Sequence, residues 1–312
     1  MKHLDSHLKS YEKVGRSGIM RSLLTVLLVL FSFTASMSQN YDDDGVMLIS
    51  SKADWEKFCE ISKWINEPFE ARLTCDITDP VTTSAGLTDH SFYGKFDGGG
   101  HTLVVNLQSP NQAPFLTTDG ATIKNLKVRG KIVTDSKYAA GIVSIVQGKD
   151  VTISNCVSDV DIISSVDGDG THGGIVGVAY PNASIIMSNC MFTGSISGDY
   201  TSDCGGLIGW VNVPVTIKKC LVAGTFNLGN IGSSDTFVRN EDARKQSILN
   251  DCYFVKPFGM VDVRTKMATP DQLRSGELAF LLKWGQRLGL DQFPSPISKF
   301  KIKAQFYQEQ QP

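Results

Sequence analysis

From about residue 120 to residue 255, apolar and polar positions alternate in short stretches that return at nearly constant spacing, and this periodicity predicts the strands of a repeat. Three glycine-led apolar segments, 140–144, 173–177 and 205–209, have second positions Gly141, Gly174 and Gly206 separated by 33 and 32 residues. Each is followed by a second block: Ile153-Ser154-Asn155-Cys156, Met187-Ser188-Asn189-Cys190 and Ile217-Lys218-Lys219-Cys220. A further copy, Leu249-Asn250-Asp251-Cys252, lies downstream, and Ile123-Lys124-Asn125-Leu126 lies upstream with leucine in the cysteine slot. Beyond each slot every second residue is small or apolar, as in Leu126, Val128, Gly130 and Ile132, or Cys190, Phe192, Gly194 and Ile196.

A repeat with about three short strands cannot bury its apolar face alone, so copies must stack over one shared core. The pattern therefore predicts an all-β fold, a single-stranded parallel β-helix of about five coils. A β-sandwich would want Asn-Gly or Asp-Gly hairpin turns between its strands; Asn-Gly is absent, and between residues 121 and 255 Asp-Gly occurs only at 167–170. Gly141, Gly174 and Gly206 suit tight corners, where a side chain would crowd or φ is positive.

A stack has two open ends, and helical caps are predicted for both. Ser51 to Asp54 resembles a capping box ahead of Trp55, Phe58, Cys59 and Ile61, which form one apolar helical stripe. Near the other end, Thr269-Pro270-Asp271-Gln272 supplies an N-cap, a first-turn proline and a third-position glutamine. Trp55, Trp64 and Trp284 are read as end-cap packing, with sugar-stacking platforms as the competing use.

The chain before residue 39 has a different character. Arg16 and Arg21 precede the apolar run Leu23 to Phe33, and the small residues Ser36 and Ser38 follow, which is the order of a secretory signal. Residues 1–38 are assigned to it, with Met20 as a candidate true start, and the run is too short for a bilayer span of about 20 residues. The domain plan is then 39–75 as an N-terminal segment with its capping helix, 76–262 as β-helix, 263–296 as C-terminal helical cap and 297–312 as a loose polar tail.

Charge narrows the partners. With 30 basic against 32 acidic residues there is no broad basic surface for nucleic acid. Seven cysteines in an exported chain invite disulfides. Stacked strands lie about 4.8 Å apart, however, whereas a disulfide wants Cβ atoms about 3.8 Å apart. Cys156, Cys190, Cys220 and Cys252 are accordingly read as buried structural thiols, leaving Cys59 and Cys75 as the candidate disulfide. Outward positions in the same register put Arg129 beside Asp159 and Lys131 beside Asp161, as candidate cross-coil ion pairs. Asp167-Gly168-Asp169-Gly170 resembles a glycine-turned calcium loop but lacks the later glutamate of an EF-hand, so a plain turn is preferred and no cofactor is implied. His101 and His172 fall in glycine-rich loops, and no nucleophile elbow, phosphate loop or zinc-protease motif occurs.

The blocks Gly173-Gly174-Ile175-Val176-Gly177 and Gly205-Gly206-Leu207-Ile208-Gly209, each followed by an Asn-Cys or Lys-Cys strand, resemble the GLUG-motif repeats of exported bacterial proteins. Phe96 to Leu103 is similar to the segment that opens such regions, and Trp284 to Pro294 to the tail that closes them; the resemblance spans roughly residues 46–296. It implies a secreted or cell-surface location and adhesion or interaction with protein or glycan, and it carries over no catalytic residue. A first-copy departure, Ala140 and Ser144 in glycine positions, leaves that corner's geometry open. The competing class is a carbohydrate-active enzyme on a β-helix, which requires convergent carboxylates on one face.

Overall fold

The computed structural model describes residues 40–65 and 67–302, so the signal reading of 1–38 and most of the tail lie outside the described residues. Two compact units divide after Met47. In the first, Tyr41 and Met47 form an antiparallel bridge around a turn held by Asp42, whose carboxylate accepts the Val46 amide at 2.9 Å. The second unit is a parallel β-solenoid of about six turns.

Three sheets run along it. The first stacks Phe69–Leu73, Gly94–Asp97, Thr122–Lys124, Val151–Ser154, Ile185–Ser188, Thr216–Lys218 and Ile248–Asn250. The second stacks Ile77–Val81, Thr102–Gln108, Lys127–Thr134 and Val157–Ser164, then the split strands of later coils. The third stacks Phe115–Thr118, Val143–Val146, Val176–Ala179 and Ile208–Val211. Register is strict: Ile123, Ile153, Met187, Ile217 and Leu249 lie over one another, all buried, and so do Ile132, Ile162 and Ile196. Coils upstream of the motif copies bring the total above five.

One corner joins the first sheet to the second, and its geometry repeats in every copy. Asn125, Asn155, Asn189, Lys219 and Asp251 all take left-handed backbone with φ between 52° and 54°. Asparagine and aspartate tolerate this conformation best, which accounts for four of the five. The asparagines also stack through their side chains: Asn155 Nδ2 donates to Asn125 Oδ1 at 3.1 Å, and Asn125 Nδ2 to Asp97 Oδ1 at 3.0 Å. The next residue is the cysteine slot. Cys156, Cys190, Cys220 and Cys252 are buried free thiols, and each donates to the carbonyl two residues before it. Cys156, Cys190 and Cys252 also reach a carbonyl of the preceding coil, at 3.6–3.8 Å.

At the corner entering the third sheet, Gly141, Gly174 and Gly206 are not in the positive-φ region, so crowding alone explains them. A methyl group at Gly174 would overlap the Phe192 ring and the Gly206 carbonyl; one at Gly141 would meet the Ser158 side chain.

Helix α1 (Lys52–Ser62) covers the first coils. Ser51 accepts the Asp54 amide, and Trp55 and Phe58 are fully buried against Phe96 and Phe115. Trp64 is 70% exposed beside His90 and does not pack into the cap. After α2 (Glu241–Gln246), helices α3 (Pro270–Ser275) and α4 (Glu277–Leu282) form the C-terminal cap, α3 opening on a complete Thr269–Gln272 capping box.

This cap closes the solenoid from its flank. Val157, Met191, Leu221 and Tyr253, each the residue after a cysteine, stack outward in register. Leu278, Leu282 and Trp284 bury that ladder, and Trp284 Nε1 donates to Asn189 Oδ1 at 3.2 Å. The upstream copy has Lys127 in this position, so the apolar ladder begins at Val157. Trp284→Ala is expected to cost about 3–5 kcal/mol in guanidinium unfolding, the usual range for a buried tryptophan. Trp64→Ala should stay within about 0.5 kcal/mol of the parent.

Candidate functional site

Side chains with chemistry gather where the coil corners carry loops, and the largest set centres on Arg239. Its guanidinium lies between two carboxylates: NH1 is 3.0 Å from Asp169 and NH2 is 3.4 Å from Asp203. NH1 also donates to Thr171 Oγ1 at 3.2 Å, and the cation sits 4.7 Å from the centroid of the Trp210 ring. Arg239 is only 9% exposed, and its Nε is buried without a hydrogen-bond partner. Three successive corner loops thereby meet on one cation. Hydrogen bonds from Ser202 and the Ser233 amide, together with the nearby guanidinium, outweigh desolvation and hold Asp203 below the usual carboxylate range.

Asp169 belongs to the candidate calcium loop. Its oxygens are taken by Arg239, by Lys137 at 3.1 Å and by Thr171 Oγ1 at 2.7 Å, an arrangement that satisfies a carboxylate with cations of the chain itself. Among the described residues no three potential metal ligands come together.

His172 lies directly beneath this set and is fully buried. Its Nδ1 accepts the Ala139 amide at 3.1 Å, so the ring proton resides on Nε2, which faces Ser164 Oγ at 2.8 Å. A serine nucleophile needs the opposite tautomer, with Nε2 free to take the hydroxyl proton and Nδ1 donating to a carboxylate. Burial also pushes the imidazole down to about 4. The pair is a structural hydrogen bond inside the wall, and His101, half-buried, stands apart from it with Nδ1 3.4 Å from Asp76.

Most of the thiols are buried. Burial pushes Cys59, Cys204 and Cys252 up to about 12 and raises Cys156 and Cys190 too, so none of these is a thiolate at neutral pH. All seven cysteines are free; the Cys59 thiol turns to the Thr83 carbonyl and the Cys75 thiol to that of Ser50.

On the outer face of the second sheet, Asp159 pairs in register with Arg129 and Asp161 with Lys131. The carboxylates take their hydrogen bonds from the other side: Thr193 Oγ1 donates to Asp159 at 3.1 Å and Ser195 Oγ to Asp161 at 2.6 Å. Two residues apart on one strand, their Cα positions stand roughly 6.6 Å from each other.

The Arg239 set opens onto a cleft of about 570 Å³, lined by Trp210, Arg239, Asn240, Ser233, Asp235 and Met260 among others. Trp210 is half-buried, and its Nε1 donates to Asn212 at 3.0 Å. The ring is thus fixed on one face by Arg239 and at its edge by an amide. The Asp167–Gly170 motif and the scarcity of histidines had singled out Asp169 and His172, but not Arg239 or Trp210, although Trp210 lies in register with Val178.

These features define the class of parallel β-solenoids with a chemically locked corner. No protein-family model matches the chain, and no curated protein matches it. Among solved structures, a Bacteroides ovatus protein described as a "putative immunoglobulin A1 protease" superposes with a TM-score of 0.59 at 16% identity, covering 83% of this chain and 95% of that one. At that identity the likeness is one of fold. No helix among the described residues is long and apolar enough to cross a membrane.

A histidine whose folded value lies below its unfolded one destabilises the fold as pH falls between the two. Chemical unfolding should therefore show stability declining from about pH 6.5 and reaching a loss of about 3 kcal/mol by pH 4. His172→Gln is expected to be less stable at pH 7 and to flatten that interval.

Proposed function

We propose that the protein is an exported, surface-located or secreted interaction module that holds a glycan in the Trp210 cleft without transforming it. The observation that carries this reading is the state of the groups around the cleft. An aromatic ring and a guanidinium are fixed in place, while the two carboxylates beside them, Asp169 and Asp203, are bound to the same cation. A glycosidase needs one carboxyl group kept protonated by desolvation, whereas Asp203, beside the guanidinium, is held below the usual carboxylate range. Aromatic rings with pre-positioned polar groups are the usual make-up of a binding pocket. The resemblance to GLUG-repeat proteins and the signal-like residues 1–38 support export and an adhesive or interaction role.

A carbohydrate-active enzyme is the second reading, favoured by Asp159 and Asp161, two carboxylates that share the outer face of one strand. Both carboxylates are engaged by hydroxyl donors, Thr193 on Asp159 and Ser195 on Asp161, and neither lines the Trp210 cleft. Proteolysis, suggested by the description of the structural neighbour, finds no support at His172, whose tautomer is the wrong one for a serine nucleophile, or at the buried Cys59, Cys204 and Cys252 thiols.

A neutral glycan array followed by calorimetry on the best binder tests the proposal. Trp210→Ala is expected to weaken binding by about 10- to 100-fold, with no reducing ends released by either protein. Binding indifferent to Trp210, or steady release of reducing ends, contradicts it.

A further inference from the structure

The last turn of the solenoid takes a shorter path than the one beneath it. From Cys220 the chain travels 15 residues to Asp235, passing through strands Leu221–Val222 and Thr225–Leu228. From Cys252 it travels only 8 residues, through Tyr253–Phe254, to Met260, which bridges to Asp235. Tyr253 and Phe254 pair with Leu221 and Val222, but no strand of that coil pairs with Thr225–Leu228. That strand pairs with Ser195–Gly198 alone.

Its hydrogen-bonding groups have a defined direction. The amides of Thr225 and Gly229 donate down to the carbonyls of Gly194 and Gly198. In a parallel ladder alternate residues turn to opposite sides, so the N–H and C=O groups of Phe226 and Leu228 face the place of the missing strand. That place is a cleft of about 490 Å³, lined by the strand and by Lys256, Pro257 and Phe258. Phe226 and Phe258 stack in it with centroids 3.8 Å apart and planes 8° from parallel, while Lys256 is exposed at the rim.

We propose that this notch is a strand-addition site for an extended segment of a partner protein, which occupies the position that the shortened coil leaves free. The segment pairs with the backbone of Phe226 and Leu228, lays an apolar side chain against the Phe226–Phe258 rings and brings an acidic residue to Lys256. Backbone groups repeating every second residue match a polypeptide and not a sugar chain, whose hydroxyls follow no such period. The notch meets the Trp210 cleft at Ile231 and Gly259, yet the proposal stands without a glycan there.

A phage-displayed random octapeptide library panned on the whole chain, with amide hydrogen exchange read by NMR, tests it. Enriched peptides are expected to bind in the micromolar range and to slow exchange at Phe226 and Leu228 at least tenfold. Leu228→Pro, which deletes a donor facing the notch, should lower their affinity at least tenfold; if that variant does not fold, exchange in the parent protein decides alone. Failure to enrich any peptide overturns the proposal. So does enrichment of peptides that leave those two amides unchanged, or protection of the same amides by glycans instead.

Discussion

Every coil of this molecule depends on its corner residue lying directly above that of the coil beneath. The corner after the first sheet meets this requirement with three linked devices: a left-handed residue that turns the chain, an amide ladder from Asp97 through Asn125 to Asn155, and a small thiol tucked under the turn. Cysteine suits the slot because it is compact and apolar, yet still gives a weak donor to carbonyls that the turn leaves pointing inward. A one-residue slip on any strand would carry its apolar set to the outside, so register and core are the same constraint.

The Trp210 cleft and the open strand edge both lie where this regularity lapses. Arg239 lies past the last complete strand of the third sheet and reaches back to loops 36 and 70 residues earlier, tying Asp203 and Asp169 to itself. A buried cation between two acids is an expensive arrangement that gains nothing if either acid is removed, so it fixes geometry more than it adds stability. Its effect is to immobilise the Trp210 ring and the loops around it. The shortened final coil is the second lapse, and it leaves one strand edge of the second sheet without a neighbour.

Much of the fold was legible because stacking writes itself into sequence as spacing. The cysteine slots, the glycine blocks and the alternation after Leu126 or Cys190 predicted the coils and their order, and Arg129–Asp159 fell into the expected register. Their charges nonetheless do not pair, since Thr193 and Ser195 reach the carboxylates with shorter and less costly side chains. Two signals were present but unread. The residue before the slot is Asn or Asp in four of five copies because the backbone there is left-handed, and the residue after each cysteine is Val, Met, Leu or Tyr because α3, α4 and Trp284 cover that flank. The Arg239 set was illegible for a different reason: its members share no residue type from coil to coil and lie far apart in the chain, so only the folded coils bring them together. His172 was visible as a loop histidine, but its tautomer follows from the Ala139 amide, which no pattern announces.

Asn106, Lys131, Asp161, Ser195 and Thr225 form one outward column across five coils. Spin labels at Asn106 and Thr225, in a background where the buried thiols stay unreacted, measure the stack directly. Coils in register require a separation of about 19 Å, falling to about 14 Å when the first label moves to Lys131, in steps set by the 4.8 Å strand spacing. Separations that fail to shorten by one strand spacing when the label moves up one coil would contradict a stacked solenoid.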